Sequence, residues 1–149
     1  MQTVFDAAGG EQGMWRLADA WHRRVLADEV VSHAFSHGFH PDHVERLAAY
    51  WAEALGGPAL YTGRHGDESG VVRMHACNGP HDEMDERAIA CFDLALADVG
   101  WPAGHRLHQP LHDYFVWATT ARMSAYNDPD AVVPEGLRMP RWSWTGLVG

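Results

Sequence analysis

Cysteine is scarce in this chain: Cys77 and Cys91 are the only two in 149 residues. Two cysteines make no disulfide framework, so a packed core has to hold the fold. Positive charge is short as well. Eleven basic residues face 20 acidic ones, for a net charge of −9. That balance argues against nucleic acid or an anionic membrane surface as a partner. No apolar run approaches the roughly 18 residues that a bilayer span needs. The start, Met1 to Asp6, has no basic segment followed by an apolar one, so no secretory leader is expected. Clean apolar–polar alternation is missing too, and no strand is predicted. The expected setting is cytoplasmic and reduced.

What is present suits one soluble globular domain with a substantial core. Hydrophobic content is 46% and charged content 21%, both ordinary for that class. Histidine and tryptophan are abundant, at 11 and 7 residues. A histidine excess points to metal binding, proton chemistry or a pH-dependent surface, and a solvated surface accounts for most such residues.

Apolar periodicity predicts an all-α layout. A helix is expected from about Glu11 to Leu26, with Met14, Leu17, Ala18, Trp21 and Val25 on one face. A short turn follows over Val30 to Phe35, and Ser36 to His40 reads as loop. Pro41 is suited to open the next helix, which carries Val44, Leu47, Ala48, Trp51 and Leu55. Gly56-Gly57-Pro58 ends it. Ala59 to Pro80 is irregular and glycine-containing, with room for one or two helical turns. The third long helix spans Asp82 or Glu83 to Val99, with Met84, Ala88, Phe92, Ala95 and Val99 inward. The last is expected from about Ala103 to Tyr126, on Leu107, Leu111, Tyr114, Phe115 and Ala118. Residues 1–126 form the domain. Residues 127–149, with Trp142 and Trp144, are an irregular tail packed on or near it.

The irregular stretch holds Val71-Val72-Arg73-Met74-His75-Ala76. His75 follows an apolar run and precedes Cys77-Asn78-Gly79-Pro80, which looks like loop. A neutral imidazole is the commonest protein ligand for metals, haem iron included. An ordinary surface histidine is the plain alternative. His81, just before the third long helix, is the rival ligand.

Several segments, taken together, resemble the truncated haemoglobins. Val4-Phe5-Asp6-Ala7-Ala8-Gly9-Gly10 resembles their opening. Leu55-Gly56-Gly57-Pro58 with Tyr61 resembles the end of their distal helix. Arg73-Met74-His75-Ala76 resembles the proximal-histidine segment of the group II branch. The motifs come in the family's order, and the likeness runs from about Thr3 to Tyr126. It implies a two-over-two helical sandwich around haem b, with His75 as the iron ligand. It implies haem contacts from Phe35, Leu47, Trp51 and Met74. It places His22 where the family usually has tyrosine, His43 at the distal gate, and Trp21 beside them. Ala88 falls where group II members usually carry tryptophan. The implied function is binding of O₂, NO or CO at ferrous iron. Redox turnover, such as nitric oxide dioxygenation or peroxide reduction, would add a reductase partner.

Two other readings stay open on the residues alone. His105, His108 and His112 share a helix face and, with His37 or His43, could hold zinc or nickel in a helical bundle; an exposed polar face is the bland alternative. A haem sensor without turnover is the other. His33, His37 and His40 read as surface residues. Trp117 and Tyr114, like Trp51, read as core or haem-wall packing.

Overall fold

A computed structural model describes residues 2–149. Helix α1 is a single turn, Val4–Ala7. Thr3 and Asp6 bond reciprocally around its start: the Thr3 hydroxyl accepts from Asp6 N at 3.0 Å, and the Asp6 carboxylate accepts from Thr3 N at 3.2 Å. Such a box satisfies donors that a helix start leaves open. Helix α2, Gly10–Leu26, buries the predicted stripe of Met14, Leu17, Ala18 and Val25, and His22 with it. The Asp28 carboxylate then accepts from Val30 N and Val31 N, opening the short 3₁₀ turn Val31–Phe35.

Helix α3 is His43–Ala54. It begins later than Pro41 invites, because Pro41 and Asp42 lie in a turn that His43 N closes on His40 O at 2.9 Å. Gly56 stops it with φ 104°, a left-handed conformation that glycine adopts without strain. Phe5 N then donates to Leu55 O at 3.0 Å, and a Cβ on Gly57 would meet the Phe5 ring at 2.9 Å. The glycine pair therefore lets α1 lie against the end of α3.

Helix α4, Glu68–His75, fills the irregular stretch. Its N-cap Asp67 accepts from Gly70 N at 2.8 Å. Helix α5 is Asp82–Asp98, with three acidic residues in its first turn, where they suit the helix dipole.

The last helix departs from expectation. Helix α6 is only His108–Trp117. Upstream, Gly104 sits at φ 94°, which breaks helical continuity. His105 Nδ1 accepts from Leu107 N at 3.1 Å, closing the turn. Downstream, Ala118–Arg122 is a π turn, with Met123 N donating to Ala118 O at 2.8 Å. Thr120 donates its hydroxyl to Val116 O at 2.7 Å, a side-chain bond of the kind that competes with regular helix.

Helix α2 packs on α3 and on α5, and α5 packs on α6, so the helices form two layered pairs. Their shared centre is aromatic. Phe92 and Phe115 stack with centroids 4.2 Å apart, and Trp51 meets Phe92 edge-on at 5.4 Å. Each such buried ring stabilises by about 1.5–3 kcal/mol. No helix among the described residues is long and apolar enough to cross a membrane.

The segment after Tyr126 is extended but not wholly irregular. Trp142–Ser143 pairs antiparallel with Gly146–Leu147, two short strands where none was predicted. Trp142 packs edge-on against Tyr114 and tilted against Trp117, at 5.9 and 5.6 Å. Arg141 donates to the carbonyls of Glu53 and Gly57.

Candidate functional site: an imidazole–aromatic cluster and His75

Helix α2 carries His22 on its core side, and α3 begins with His43. Their ring centroids lie 4.8 Å apart. Phe35, from the 3₁₀ turn, packs edge-on against both, at 5.6 and 5.2 Å. Phe39 completes the cluster, 4.7 Å from His22 and 5.8 Å from Phe35. It sits in a loop without periodicity and so carried no signal in the sequence, except its four-residue spacing from Phe35. Phe39 is 48% exposed, so one side of the cluster opens outward.

His22 is buried at 7% exposure. His22 Nδ1 and His43 Nε2 are both buried without a hydrogen-bond partner. Such orphans are rare, because an unmet buried polar group costs about 1–3 kcal/mol. Burial pushes the His43 imidazole down to about 4, helped by the nearby His22 and His40. His22 is lowered by burial too, with Asp19 opposing. Both rings are therefore neutral at pH 7, and each offers one N–H and one lone pair.

His75 ends α4 and is exposed. Its Nδ1 lies 2.9 Å from Val71 O, one turn back. A carbonyl only accepts, so Nδ1 bears a proton, and Nε2 is the nitrogen left for a further partner. That is how a second partner prepares an imidazole for a metal. Met74 beside it is 69% exposed, a large apolar side chain without cover. His81 Nδ1 is instead bonded to Asp85 at 2.8 Å, at the head of α5.

Leu47 is half-buried on α3 against the core. Trp51 lies fully inside the core among Trp21, Phe92 and Phe115. Trp21 donates its indole N–H to Ala88 O at 3.1 Å, so it contributes a wall and no free donor. The histidine face of α6 is otherwise engaged. His108 donates to Trp101 O and His112 bonds Asp93, while His105 caps its turn. Among the described residues no group of three or more His, Cys, Asp or Glu side chains is placed to hold a metal ion. The zinc or nickel expectation built on His105, His108, His112, His37 and His43 therefore has no assembled site.

The α2–α3 and α5–α6 helix layers are the frame that carries the imidazole–phenylalanine cluster, with His75 at the end of α4. A family model described as bacterial-like globin matches residues 3–118. The chain belongs to the bacterial-like globin family. The group 1 truncated hemoglobin of Tetrahymena pyriformis is 31% identical over 99 residues, covering 66% of this chain and 81% of that protein. That of Synechocystis is 29% identical over 119 residues, covering 73% and 95%. A thermostable hemoglobin of Thermobifida fusca superposes with a TM-score of 0.67 at 29% identity, over 90% of this chain and 100% of that one. The group II truncated hemoglobin of Bacillus anthracis superposes at 0.70 with 24% identity, over 91% and 97%, a likeness of fold. The two-over-two truncated-globin fold is thus the one this chain adopts, and globins are haem proteins.

Proposed function

We propose that this chain binds haem b and takes O₂ or another diatomic, NO or CO, at its ferrous iron. The observation that carries the reading is the pair of neutral imidazoles, buried His22 and half-buried His43, each with a buried nitrogen that has no partner, within a phenylalanine cluster. A bound ligand would meet the hydrogen-bonding capacity that the protein leaves open there.

The donor chemistry of these residues suits the group. His75 would hold the iron through Nε2, because Val71 O already fixes the other nitrogen. Phe35, Leu47, Trp51 and Met74 would supply apolar contact, which for Met74 would account for an otherwise exposed thioether. Bound haem supplies an iron that binds diatomic gases and carries their redox chemistry. The chain supplies the rest. His22 would donate a hydrogen bond toward the ligand, and His43 beside it would stand at the entrance, with a lone pair available to a metal. Phe35 packs edge-on against both imidazoles and would shield that side of them from water.

The same imidazoles can hold or move a proton, which turnover of nitric oxide or peroxide would draw on. Electrons for that turnover would come from a separate reductase.

The test is an absorption spectrum of protein made with haem available, in ferric, ferrous and CO-bound forms. An intense Soret band that shifts on adding CO is the expected result. Protein that purifies without such a band, and takes up no added haemin, would refute the proposal.

A further inference from the structure

The helix that carries His75 is short and stands apart from the sandwich. Helices α2, α3, α5 and α6 pack broadly through α2·α3, α2·α5 and α5·α6 interfaces, whereas α4 has no comparable contact with any helix or strand. Two turns of helix are also too few to persist alone. Val71 and Val72 bury its apolar side, and its first turn is anchored by polar groups.

Glu68, the first residue of α4, is 1% exposed. Its Oε1 accepts from the Tyr50 hydroxyl at 2.7 Å, and its Oε2 accepts from Arg122 Nε at 2.6 Å. A buried carboxylate is costly unless its charge is paired and its oxygens are bonded, and here both conditions are met. Arg122 donates again to Arg138 O at 2.7 Å. Ser69, fully buried, donates to Pro134 O at 2.8 Å and accepts from Leu137 N at 3.0 Å. One turn further along, Arg73 pairs with Glu135. Past the helix end, Cys77 N donates to Tyr126 O and Gly79 N to Asn127 O, each at 2.8 Å. Residues 126–138 therefore run beside α4, bonded to its first turn and to the residues just past its end. This segment lies beyond the residues the family model matches.

We propose that Glu68, Ser69 and Arg122, with the segment 126–138 they bind, form a strap that sets the position of His75 against the haem iron. The inference rests on the reading of His75 as the iron ligand. These are positioning residues, acting through α4. The Val71 carbonyl orients the imidazole, and Val71 moves with the helix, so a shift of α4 moves ligand and orienting group together. The Glu68–Arg122 pair resists that shift, because stretching it exposes an uncompensated buried charge.

The test uses the full-length, haem-loaded protein and two readouts: the iron–histidine stretching frequency of the ferrous form, and the rate of haem transfer to an acceptor apoprotein. Glu68→Gln keeps the side-chain volume but removes the charge facing Arg122. Arg122→Met removes the partner, and Arg122→Lys restores a cation. Glu68→Gln and Arg122→Met are expected to shift the frequency and to speed haem loss by about tenfold or more, as losing a group that orients a metal ligand does. Arg122→Lys should move both readouts back toward the parent. Folded Glu68→Gln and Arg122→Met proteins with parental frequency and haem-loss rate would overturn the strap. If those variants do not fold, the exposed pair decides through Arg73→Ala and Glu135→Ala, and a parental frequency in both overturns it. His75→Gly is the separate control. If it keeps the stretching band, the ligand assignment itself has failed, and the strap proposal falls with it.

Discussion

At the scale of single residues, burial decides what the histidines can do. His43 is held down to about 4, whereas an unfolded chain titrates its histidines near 6.5. As pH falls, the unfolded chain takes up that proton first. The stabilising contribution is therefore complete above pH 6.5 and is lost as pH drops through about 4. The slope is at most about 1.4 kcal/mol per pH unit, and less for a side chain that is partly exposed. Replacing His43 by leucine should flatten the apoprotein's stability between pH 6.5 and 4, read from urea midpoints. An unchanged acid limb would mean that His43 is not desolvated in the folded chain. His22→Leu addresses the other ring. One hydrogen bond to a polarised ligand is worth about 1.5–3 kcal/mol, so the O₂ dissociation rate should rise about tenfold or more. A parental off-rate would remove His22 from the ligand site. For the iron, His75→Gly is expected to lose the proximal bond and His81→Ala to keep it, because His75 is exposed at the end of α4 whereas His81 is half-buried at the head of α5. Haem content and the ferrous–CO spectrum distinguish the two, and the reverse outcome would make His81 the ligand.

At the scale of elements, the glycine that ends α3 and the aromatic centre carry most of the fold's specificity. Gly56 has φ 104°, and a Cβ there would lie 2.8 Å from the Thr3 Cβ. Gly56→Ala should therefore destabilise by about 1–3 kcal/mol, the cost of a side chain held in a left-handed conformation. Inside a helix the same change would stabilise, so a raised urea midpoint would show that the turn is not strained. Trp51 meets Trp21, Phe92 and Phe115 edge-on, and Trp51→Ala should cost about 3–5 kcal/mol. The helices themselves were readable. The stripes on α2, α3, α5 and α6 are buried or half-buried where 3.6-residue periodicity puts them. Their boundaries were less so. Pro41 looked like a helix start, yet the turn from His40 to His43 consumed it. The long helix expected from Ala103 to Tyr126 shrank to His108–Trp117, because Gly104 breaks it ahead and the π turn at Ala118 breaks its register behind.

At the scale of the whole molecule, the C-terminal segment ties distant parts together. Trp144 donates to Gln2 O at 2.9 Å, Arg141 reaches the end of α3, and Trp142 lies on Tyr114 and Trp117. Trp142→Ala should loosen the segment and cost about 0.5–3 kcal/mol, the usual range for single substitutions. Limited proteolysis would then cut within residues 127–149 faster than in the parent. An unchanged cleavage pattern would show that Trp142 does not hold it down.

The sequence by itself determined that this chain is helical, where its long helices bury their faces, and that His75 follows an apolar run in an irregular stretch. These are local properties, because the helix repeat is set by neighbouring backbone and read from residues three and four apart. Only the tertiary structure decided that His22 and His43 meet, that Trp21 spends its N–H on Ala88, and that the α6 histidines are separately engaged. It alone joined Glu68 to Arg122 and Ser69 to Leu137, partners 54 and 68 residues apart. Burial periodicity is written along a helix. The partner of a buried polar group is whichever one the packed helices bring within about 3 Å of it.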